Sequence, residues 1–453
     1  MKVSHIYIKD NHQFKDFELD LTYPAGHPKA GKPLDKVCII GQSGTGKTSL
    51  LRAIQYFTTL HIHDLTSTND PNYTKRTFGV APSNSASYIH SSFTFDFGGT
   101  QEALSIKSAN HLFSRLLEYN DPSIVYYNNL KIKNIFIPAE LNHRYQELKN
   151  HNSESLNIDI KIDFIDLSII PLSTFWDLLN KEIKIYQETE IQKRLEISQI
   201  VQNSLTNAED ISAAVKKLED WLHTTPSPLK NLANNCLDTI LNTFNLRIKQ
   251  DFVFKEKGDI GFIKIENLQG EEVPDIFLST GTKQFILTAL PLYALKPTKT
   301  IILFDEPERS LYPDIQTKII DFYTSLSTDC QFFFATHSPL IASCFEPWEI
   351  VELKFKPDGS VYRELYYDSQ KENHVDNYTI DPRYLRWDSI LTRIFDLDND
   401  SNEARTRKLM ELATLRSKLH KANGKLSIEE KQKLQAQFEK LANLLDWEYD
   451  AEN

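Results

Sequence analysis

Residues 37–54 read VCIIGQSGTGKTSLLRAI, and this stretch decides the fold. An apolar run, residues 37–40, leads into a glycine-rich loop, residues 41–48, and a helical pattern follows the loop. The loop matches the P-loop pattern G-x-x-x-x-G-K-[ST] in the strand–loop–helix context that this pattern requires. Its glycines let the backbone turn its N–H groups toward one point, where the positive end of the next helix also attracts anions. The stretch therefore predicts a triphosphate site on an α/β fold.

Individual residue types in this loop predict separate roles. Lys47 supplies a mobile positive charge for the β- and γ-phosphates of ATP, and Thr48 offers a hydroxyl to Mg²⁺. The candidate nucleotide-binding residues are Gly41, Gln42, Ser43, Gly44, Thr45, Gly46, Lys47, Thr48 and Ser49. A glycine-rich turn with a solvated lysine is the simpler alternative, and the flanking strand and helix patterns disfavour it.

Bulk composition limits the classes of protein to consider. The chain has 453 residues, 40% of them hydrophobic, which is enough for two or three domains or one interrupted domain. A net charge of −11 argues against a uniformly basic nucleic-acid-binding surface but leaves room for a local basic channel. The four cysteines follow no metal-binding spacing and lie mostly in apolar runs, so we expect buried thiols in a reducing compartment. Because no apolar run is long enough to span a membrane, we expect a cytoplasmic protein without membrane contact.

Hydrophobic patterning predicts an α/β fold that a helical segment interrupts. Apolar residues at helical spacing dominate residues 171–248, with a break at 224–228, and the chain from about 380 on is helical and moderately basic. Ser427 and Glu430 predict a capping box there. Strands are expected at 3–8, 16–22, 88–97, 101–107, 132–137, 251–255, 261–266, 300–305, 331–335, 348–354 and 361–367. Four regions follow: an N-terminal lobe with the P-loop (1–144), a helical insertion (145–250), a C-terminal lobe (251–367) and a C-terminal helical region (368–453).

An acidic pair follows the second long apolar run. Residues 301–307 read IILFDEP, so a predicted strand ends at Asp305 and Glu306. Asp305 would hold Mg²⁺, and Glu306 would act as general base toward the attacking water. Such a pair alone is a weak signal, but its position after a P-loop makes it a strong one.

Two more motifs complete the set of candidate site residues. Residues 278–284 read LSTGTKQ, where Ser279 can cap the following helix and Gly281 permits close backbone approach, so the motif predicts a second phosphate site. Residues 336–339 read THSP after an apolar run, and His337 could sense the γ-phosphate. The simpler interpretations are a serine-capped helix and a structural histidine at a strand end.

The order of P-loop, LSTGTKQ, Asp-Glu and His resembles the ABC-type ATPase head of the SMC, RecF and OLD proteins. The opening IYIKDNHQFKDFELDL, residues 6–21, matches the first hairpin of that branch, and the resemblance covers residues 1–140 and 251–365. It implies a fold in which helices flank a mixed sheet that carries the P-loop. It also implies hydrolysis of ATP with Mg²⁺. In this family the signature closes on the P-loop of a second subunit, so the resemblance implies a head-to-head homo-oligomer with shared ATP sites.

Two local features depart from that family's pattern. The segment PERSLYPDIQ, residues 307–316, resembles the family's segment after the acidic pair, but Tyr312 replaces its usual histidine. Ser310 and Leu311 would lie near the contact between subunits. Glu140, after the run FIPA, occupies the place where the family has a glutamine that contacts Mg²⁺.

The head, the compact insertion and the tail WDSILTRIFDLDND, residues 387–400, are similar to the PtuA ATPases of Septu and retron anti-phage systems. That resemblance implies a partner HNH nuclease of the PtuB type. In the retron systems it also implies a reverse transcriptase with its DNA–RNA product. Contact with DNA or RNA is compatible with the Septu and the retron systems alike.

Two other functions stay open from the sequence. One is a DNA-repair ATPase of the RecF/SMC type, which binds DNA by itself. The other is an OLD-like nuclease, to which Asp396, Asp398 and Asp400 would contribute. We interpret these three aspartates as a solvated helix cap or turn, because the residues after them are helix-patterned and the strands of a nuclease domain are missing.

Overall fold

A large mixed sheet with flanking helices forms the centre of the molecule, and it confirms the predicted α/β class. The computed structural model describes residues 1–66, 92–96, 101–105, 134–141, 164–170, 172–203, 208–250, 263–365, 381–395, 402–421, 427–445 and 447. The chain divides into two compact units, Met1–Leu385 and Arg386–Asn453. The sheet belongs to the first unit.

Thirteen strands and eleven α-helices are present in the described residues. The strands are β1 (Lys2–Asn11), β2 (Phe14–Asp20), β3 (Lys36–Gly41), β4 (Ser92–Asp96), β5 (Gln101–Ser105), β6 (Asn134–Ile137), β7 (Phe164–Asp166), β8 (Leu246–Ile248), β9 (Ile265–Asn267), β10 (Ile301–Asp305), β11 (Gln331–Ala335), β12 (Ile350–Phe355) and β13 (Val361–Glu364). The helices are α1 (Lys47–Thr66), α2 (Ser173–Asn203), α3 (Ala208–Thr224), α4 (Pro228–Leu232), α5 (Asp238–Leu241), α6 (Thr280–Leu295), α7 (Pro313–Ser325), α8 (Pro339–Ala342), α9 (Trp387–Arg393), α10 (Glu403–Lys421) and α11 (Ile428–Leu445).

The main sheet has a parallel half and a largely antiparallel half. Its order is β5-β4-β1-β2-β13-β12-β3-β11-β10-β6-β7, and β8 pairs with β9 separately. The strands from β12 to β7 in this order run parallel to their neighbours. The predicted hairpins form, since β1 pairs antiparallel with β2, and β4 with β5. The carboxyl ends of the parallel strands meet at one edge of the sheet, where ligands of open α/β sheets bind.

Continuous apolar runs place β3, β10 and β11 at the core of the parallel half. The residues of β11 and all but the last residue of β10 are buried, as expected for parallel strands that are covered on both faces. Helix α1 adds Leu50, Ile54 and Phe57, which are three or four residues apart and fully buried. These contacts fix the start of α1, and with it the P-loop, against the sheet.

In the predicted insertion, residues 145–250, the described residues are mainly helical and also supply one strand to the main sheet. In it, α2 and α3 pack together, with the rings of Tyr186 and Trp221 stacked 4.9 Å apart. The predicted break is present, because α3 ends at Thr224 and Ser227 caps α4. The strand is β7, which pairs parallel with β6 at the sheet edge.

The second unit contains α9 and a hairpin of α10 and α11. Buried Leu412, Phe438, Ala442 and Leu445 join the two helices of the hairpin. The predicted capping box is confirmed, since the Glu430 N–H donates to Ser427 Oγ at 3.2 Å and the Ser427 N–H donates to Glu430 Oε2 at 3.0 Å. The predicted strand at 251–255 and the aspartates at 396, 398 and 400 lie outside the described residues. A search of the described helices found none that is long and apolar enough to cross a membrane.

Candidate functional site

Three of the four motifs meet at the carboxyl edge of the parallel half. The P-loop follows β3, the pair Asp305 and Glu306 ends β10, and Thr336 and His337 follow β11. The strand register explains the meeting, because Asp305 pairs with Ala335 and Ala335 pairs with Ile39. The ends of β3, β10 and β11 therefore bring a lysine, carboxylates and an imidazole to one edge of the sheet.

The P-loop needs glycine at Gly46 for a reason beyond phosphate binding. Its φ is +86°, a conformation that favours glycine. A Cβ there would lie 1.9 Å from Gln13 Nε2 and 2.9 Å from Phe14 Cζ, both at the turn between β1 and β2. The first hairpin thus packs directly against the phosphate-binding loop.

Lys47 is nearly buried inside the loop that it is expected to serve. Its ammonium donates to the carbonyl oxygens of Gly41 at 2.9 Å and Gln42 at 3.2 Å. Burial lowers the pKa of Lys47 to about 8, against the opposing attraction of the carboxylates of Asp305, Glu306 and Glu308. The loop therefore holds a positive charge that is only weakly solvated and is available to phosphate.

Thr48 and Asp305 form the pair that would hold Mg²⁺. The Thr48 hydroxyl lies 3.1 and 2.9 Å from the two Asp305 carboxylate oxygens. Burial raises the pKa of Asp305, and the hydrogen bond from Thr48 acts in the opposite direction. A hydroxyl and a carboxylate are hard oxygen donors, and Mg²⁺ at phosphate sites takes only one or two protein oxygens. The two residues therefore fit the metal.

Glu306 has a backbone conformation that is unusual for a side chain of its size. Its φ is +48°, and its N–H donates to the Ala335 carbonyl at 2.8 Å. Such left-handed residues cost energy and cluster at functional sites. The bond to β11 fixes the Glu306 backbone beside the end of the strand that leads to His337.

Glu308 is a site residue that the sequence did not reveal. One of its carboxylate oxygens accepts from the Thr336 hydroxyl at 2.6 Å and from the His337 N–H at 3.2 Å. Its other oxygen is buried and has no hydrogen-bond partner in the described part of the chain. Burial raises the pKa of the Glu308 carboxyl group. Glu308 thus connects the segment after β10 to the loop that carries His337, and its place in the acidic run after Asp305 was the available signal.

His337 lies exposed on that loop. Partial burial, and next the charge of Lys47, lower the pKa of its imidazole. The ring is therefore neutral at neutral pH, which suits a hydrogen-bonding role better than an ion pair.

The fourth motif, residues 278–284, forms the start of α6. Ser279 caps the helix, because its Oγ accepts from the Thr282 N–H at 3.0 Å. A Cβ on Gly281 would lie 2.2 Å from the Ser310 carbonyl oxygen, so this glycine is required by packing within the chain. The side-chain hydrogen bonds of Ser279 both go to Thr282, and none in the described structure joins it to the P-loop.

Gln284, the last residue of this motif, lies close to Glu140. The sequence did not predict the contacts of either residue. Gln284 accepts from the Leu141 N–H at 3.0 Å and donates to the Ala139 carbonyl at 3.3 Å. Glu140, between these two residues, forms an ion pair with Arg309 at 3.1 Å. The last residue of the motif therefore holds the backbone on both sides of Glu140.

A P-loop with its acidic strand end, brought together on a parallel sheet, defines a P-loop ATPase. Residues 36–343 match the family described as "AAA domain, putative AbiEii toxin, Type IV TA system", and the chain belongs to this family.

Solved structures that match the chain include two Smc head domains. One is bound to the C-winged helix domain of ScpA, with 12% identity over 80% of this chain and 97% of that chain and a TM-score of 0.38. The other has an extended coiled coil and is bound to the C-terminal domain of ScpA from Pyrococcus furiosus, with 13% identity over 80% and 96% of the two chains and a TM-score of 0.35. No curated protein matches the chain.

Proposed function

We propose that the protein is an ABC-type ATPase whose ATP sites are shared between two copies, and that it regulates a nuclease partner in an anti-phage complex. The meeting of Lys47, Thr48, Asp305 and Glu306 at one sheet edge carries the ATPase part of this proposal. These groups match, one by one, the requirements of phosphoryl transfer to water.

Each side chain at the edge has a task in hydrolysis. Lys47 exchanges the carbonyls of Gly41 and Gln42 for phosphate oxygens, and Thr48 and Asp305 hold Mg²⁺. When bound, Mg²⁺ neutralises phosphate charge in the transition state. Glu306 accepts a proton from the attacking water, and the neutral His337 donates a hydrogen bond to the γ-phosphate.

Exposed apolar side chains near Ser279 support the proposal that a second copy of the protein binds at the signature motif. Ile276 and Phe277, directly before the motif, are 81% and 76% exposed, and Tyr312 is 68% exposed. Tyr312 is two residues after Ser310, on whose carbonyl Gly281 packs. Contiguous exposed apolar groups typically mark an interaction surface. A second copy, docked head-to-head, would cover them while its ATP meets Ser279.

Gel filtration with ATP and Mg²⁺ tests the shared site. Glu306→Gln keeps the binding groups but loses the base, so we expect it to accumulate as an ATP-dependent dimer. Ser279→Arg places a long cation at the interface, so we expect it to stay monomeric while it binds ATP with wild-type affinity in equilibrium dialysis. Identical elution of the two variants would refute the shared site.

The regulatory role depends on the similarity of the head, the compact insertion and residues 387–400 to the PtuA ATPases. It predicts that an HNH nuclease copurifies with the protein when neighbouring genes are expressed together. In a retron setting, a reverse transcriptase with its DNA–RNA product would copurify as well. Recovery of the ATPase without any nuclease subunit, from a complete operon, would rule this role out.

Helix α10 gives a reason to keep a DNA-repair ATPase as the second candidate. In a chain of net charge −11, this helix has six basic residues and two acidic ones. The basic residues are Arg405, Arg407, Lys408, Arg416, Lys418 and Lys421. Filter binding of the purified protein to duplex DNA decides between the candidates, because a repair ATPase binds alone with an affinity that falls steeply with salt.

A further inference from the structure

The guanidinium of Arg309 is shared between two carboxylates at the edge of the candidate site. Its Nη2 lies 3.1 Å from Glu140 Oε2, and its Nη1 lies 3.5 Å from Glu306 Oε2. The Arg309 N–H also donates to the Glu306 carbonyl at 3.1 Å, which closes a tight turn between them. Arg309 therefore contacts the expected general base through both its side chain and its backbone.

The first turn of α6 touches both ends of the Arg309–Glu140 ion pair. Gly281 packs on the carbonyl of Ser310, the residue after Arg309. Gln284 hydrogen-bonds the backbone on both sides of Glu140. Gly281 and Gln284 are three residues apart, so they share one face of the helix. The position of Arg309 is thus tied to the position of the signature turn in the same chain.

We propose that Arg309 is a positioning residue for Glu306, and that Glu140 holds Arg309 in place. The proposal rests on the proposed ATPase function and adds a residue to it. With one Glu306 oxygen held by the guanidinium, the other is free to accept a hydrogen bond from water. An otherwise mobile, half-exposed carboxylate is thereby kept in one orientation, which is the kind of restriction that raises a reaction rate.

Because the ion pairs of Arg309 are partly exposed, the rate of hydrolysis is a better measure of their role than the stability of the protein. Exposed ion pairs contribute little to the free energy of unfolding because solvent screens them. The ion pairs of Arg309 are therefore expected to add little to the Tm, so that a positioning role shows as a lower rate at an unchanged Tm.

Steady-state hydrolysis by Arg309→Met is the first test. Methionine keeps part of the apolar stem and removes the charge, so we expect kcat to fall about tenfold, by loss of orientation of the base. The Kd for ATP, measured by equilibrium dialysis, and the Tm should stay at wild-type values. Arg194→Met is the matched control, because Arg194 pairs with Glu190 on the exposed face of α2. Arg309→Lys should recover part of the rate, since it restores the charge without the forked geometry.

A double-mutant cycle with Glu140→Ala tests the second half of the proposal. We expect Glu140→Ala alone to lower kcat about threefold, because Arg309 loses one of its two anchors. If Glu140 acts through Arg309, the variant with both changes is no slower than Arg309→Met. Effects that multiply would overturn the link between Glu140 and Arg309.

The outcome for the wild-type protein separates this inference from the proposed function. Absence of ATP hydrolysis by the wild type, alone and with its partner nuclease, would overturn the proposed function and this inference with it. Hydrolysis by the wild type at a rate that Arg309→Met leaves unchanged would overturn the inference alone. A lower Tm for Arg309→Met than for the wild type would assign Arg309 a structural role and would also overturn the inference.

Discussion

The two halves of the proposed ATP site differ in how they are built. The sheet-edge half (Lys47, Thr48, Asp305, Glu306 and His337) stands on buried parallel strands, and within it Lys47 contacts the loop and Thr48 contacts Asp305. The signature half (residues 279–284) presents an exposed Ser279 whose hydrogen bonds stay within its own helix. The first half is therefore organised by the core of its own chain, whereas Ser279 in the second half contacts phosphate only in the proposed complex of two copies. Substitutions in the two halves should separate nucleotide binding from assembly.

The largest expected effect is at Lys47. Lys47→Ala removes the charge that faces the phosphates, and a charged hydrogen-bonding group is worth about 1.5–3 kcal/mol, or roughly 10–100-fold in affinity. Isothermal titration with ATP and Mg²⁺ measures the loss. Lys318→Ala, an exposed lysine on α7, should bind like the wild type. Unchanged binding by Lys47→Ala would show that the sheet-edge half does not hold the phosphates.

Gly281→Ala tests whether the signature half also contributes to the stability of a single chain. Its new Cβ would press on the Ser310 carbonyl, and overpacking of this kind costs about 1–3 kcal/mol of the free energy of unfolding. Denaturant unfolding of the nucleotide-free protein measures this cost, with Thr280→Ala in the same turn as control. Wild-type stability of Gly281→Ala would mean that the glycine serves only the contact with another copy.

The smallest predicted effect is a pH dependence of ATP binding. Burial lowers the pKa of Lys47 to about 8, and only the charged ammonium attracts phosphate. Raising the pH through 8 removes that charge in the free protein, so affinity should fall about tenfold between roughly pH 7 and pH 9. Titrations at the two pH values measure the fall, and Lys47→Ala should lack it. A flat profile in the wild type would place the lysine in a better-solvated environment.

The sheet-edge half could be predicted because each of its parts is a local pattern. A P-loop, an acidic strand end and a histidine after a strand are each visible within a few residues, and parallel strands bring their carboxyl ends together. Residues whose roles depend on distant contacts gave no such signal. Arg309 and Glu140 are 169 residues apart in sequence, and Gln284 and Ala139 are 145 apart.

The same distinction applies to the fold. Strands β10 and β11 were predictable as short apolar runs that end at recognisable motifs, and α2 because its apolar residues recur at helical spacing over many residues. Strand β7 was not predictable, since its three residues are too few to show a period and lie in the range that was predicted to be a helical insertion. Gly46 shows a third case, in which the residue was assigned correctly to the loop but its contact with the β1–β2 turn could not be foreseen.

The position of β3 in the sheet has a consequence for biosynthesis. Its neighbours are β11 and β12, and Lys36 at its start bonds Cys344, 308 residues further along the chain. The strand before the P-loop therefore leaves the ribosome long before either neighbour exists. Contacts of such high sequence separation form late and expose unpaired strand edges in the meantime. A nascent chain that ends before β11 should thus be a substrate for chaperones, and nucleotide can stabilise the protein only after nearly the whole first unit has been translated.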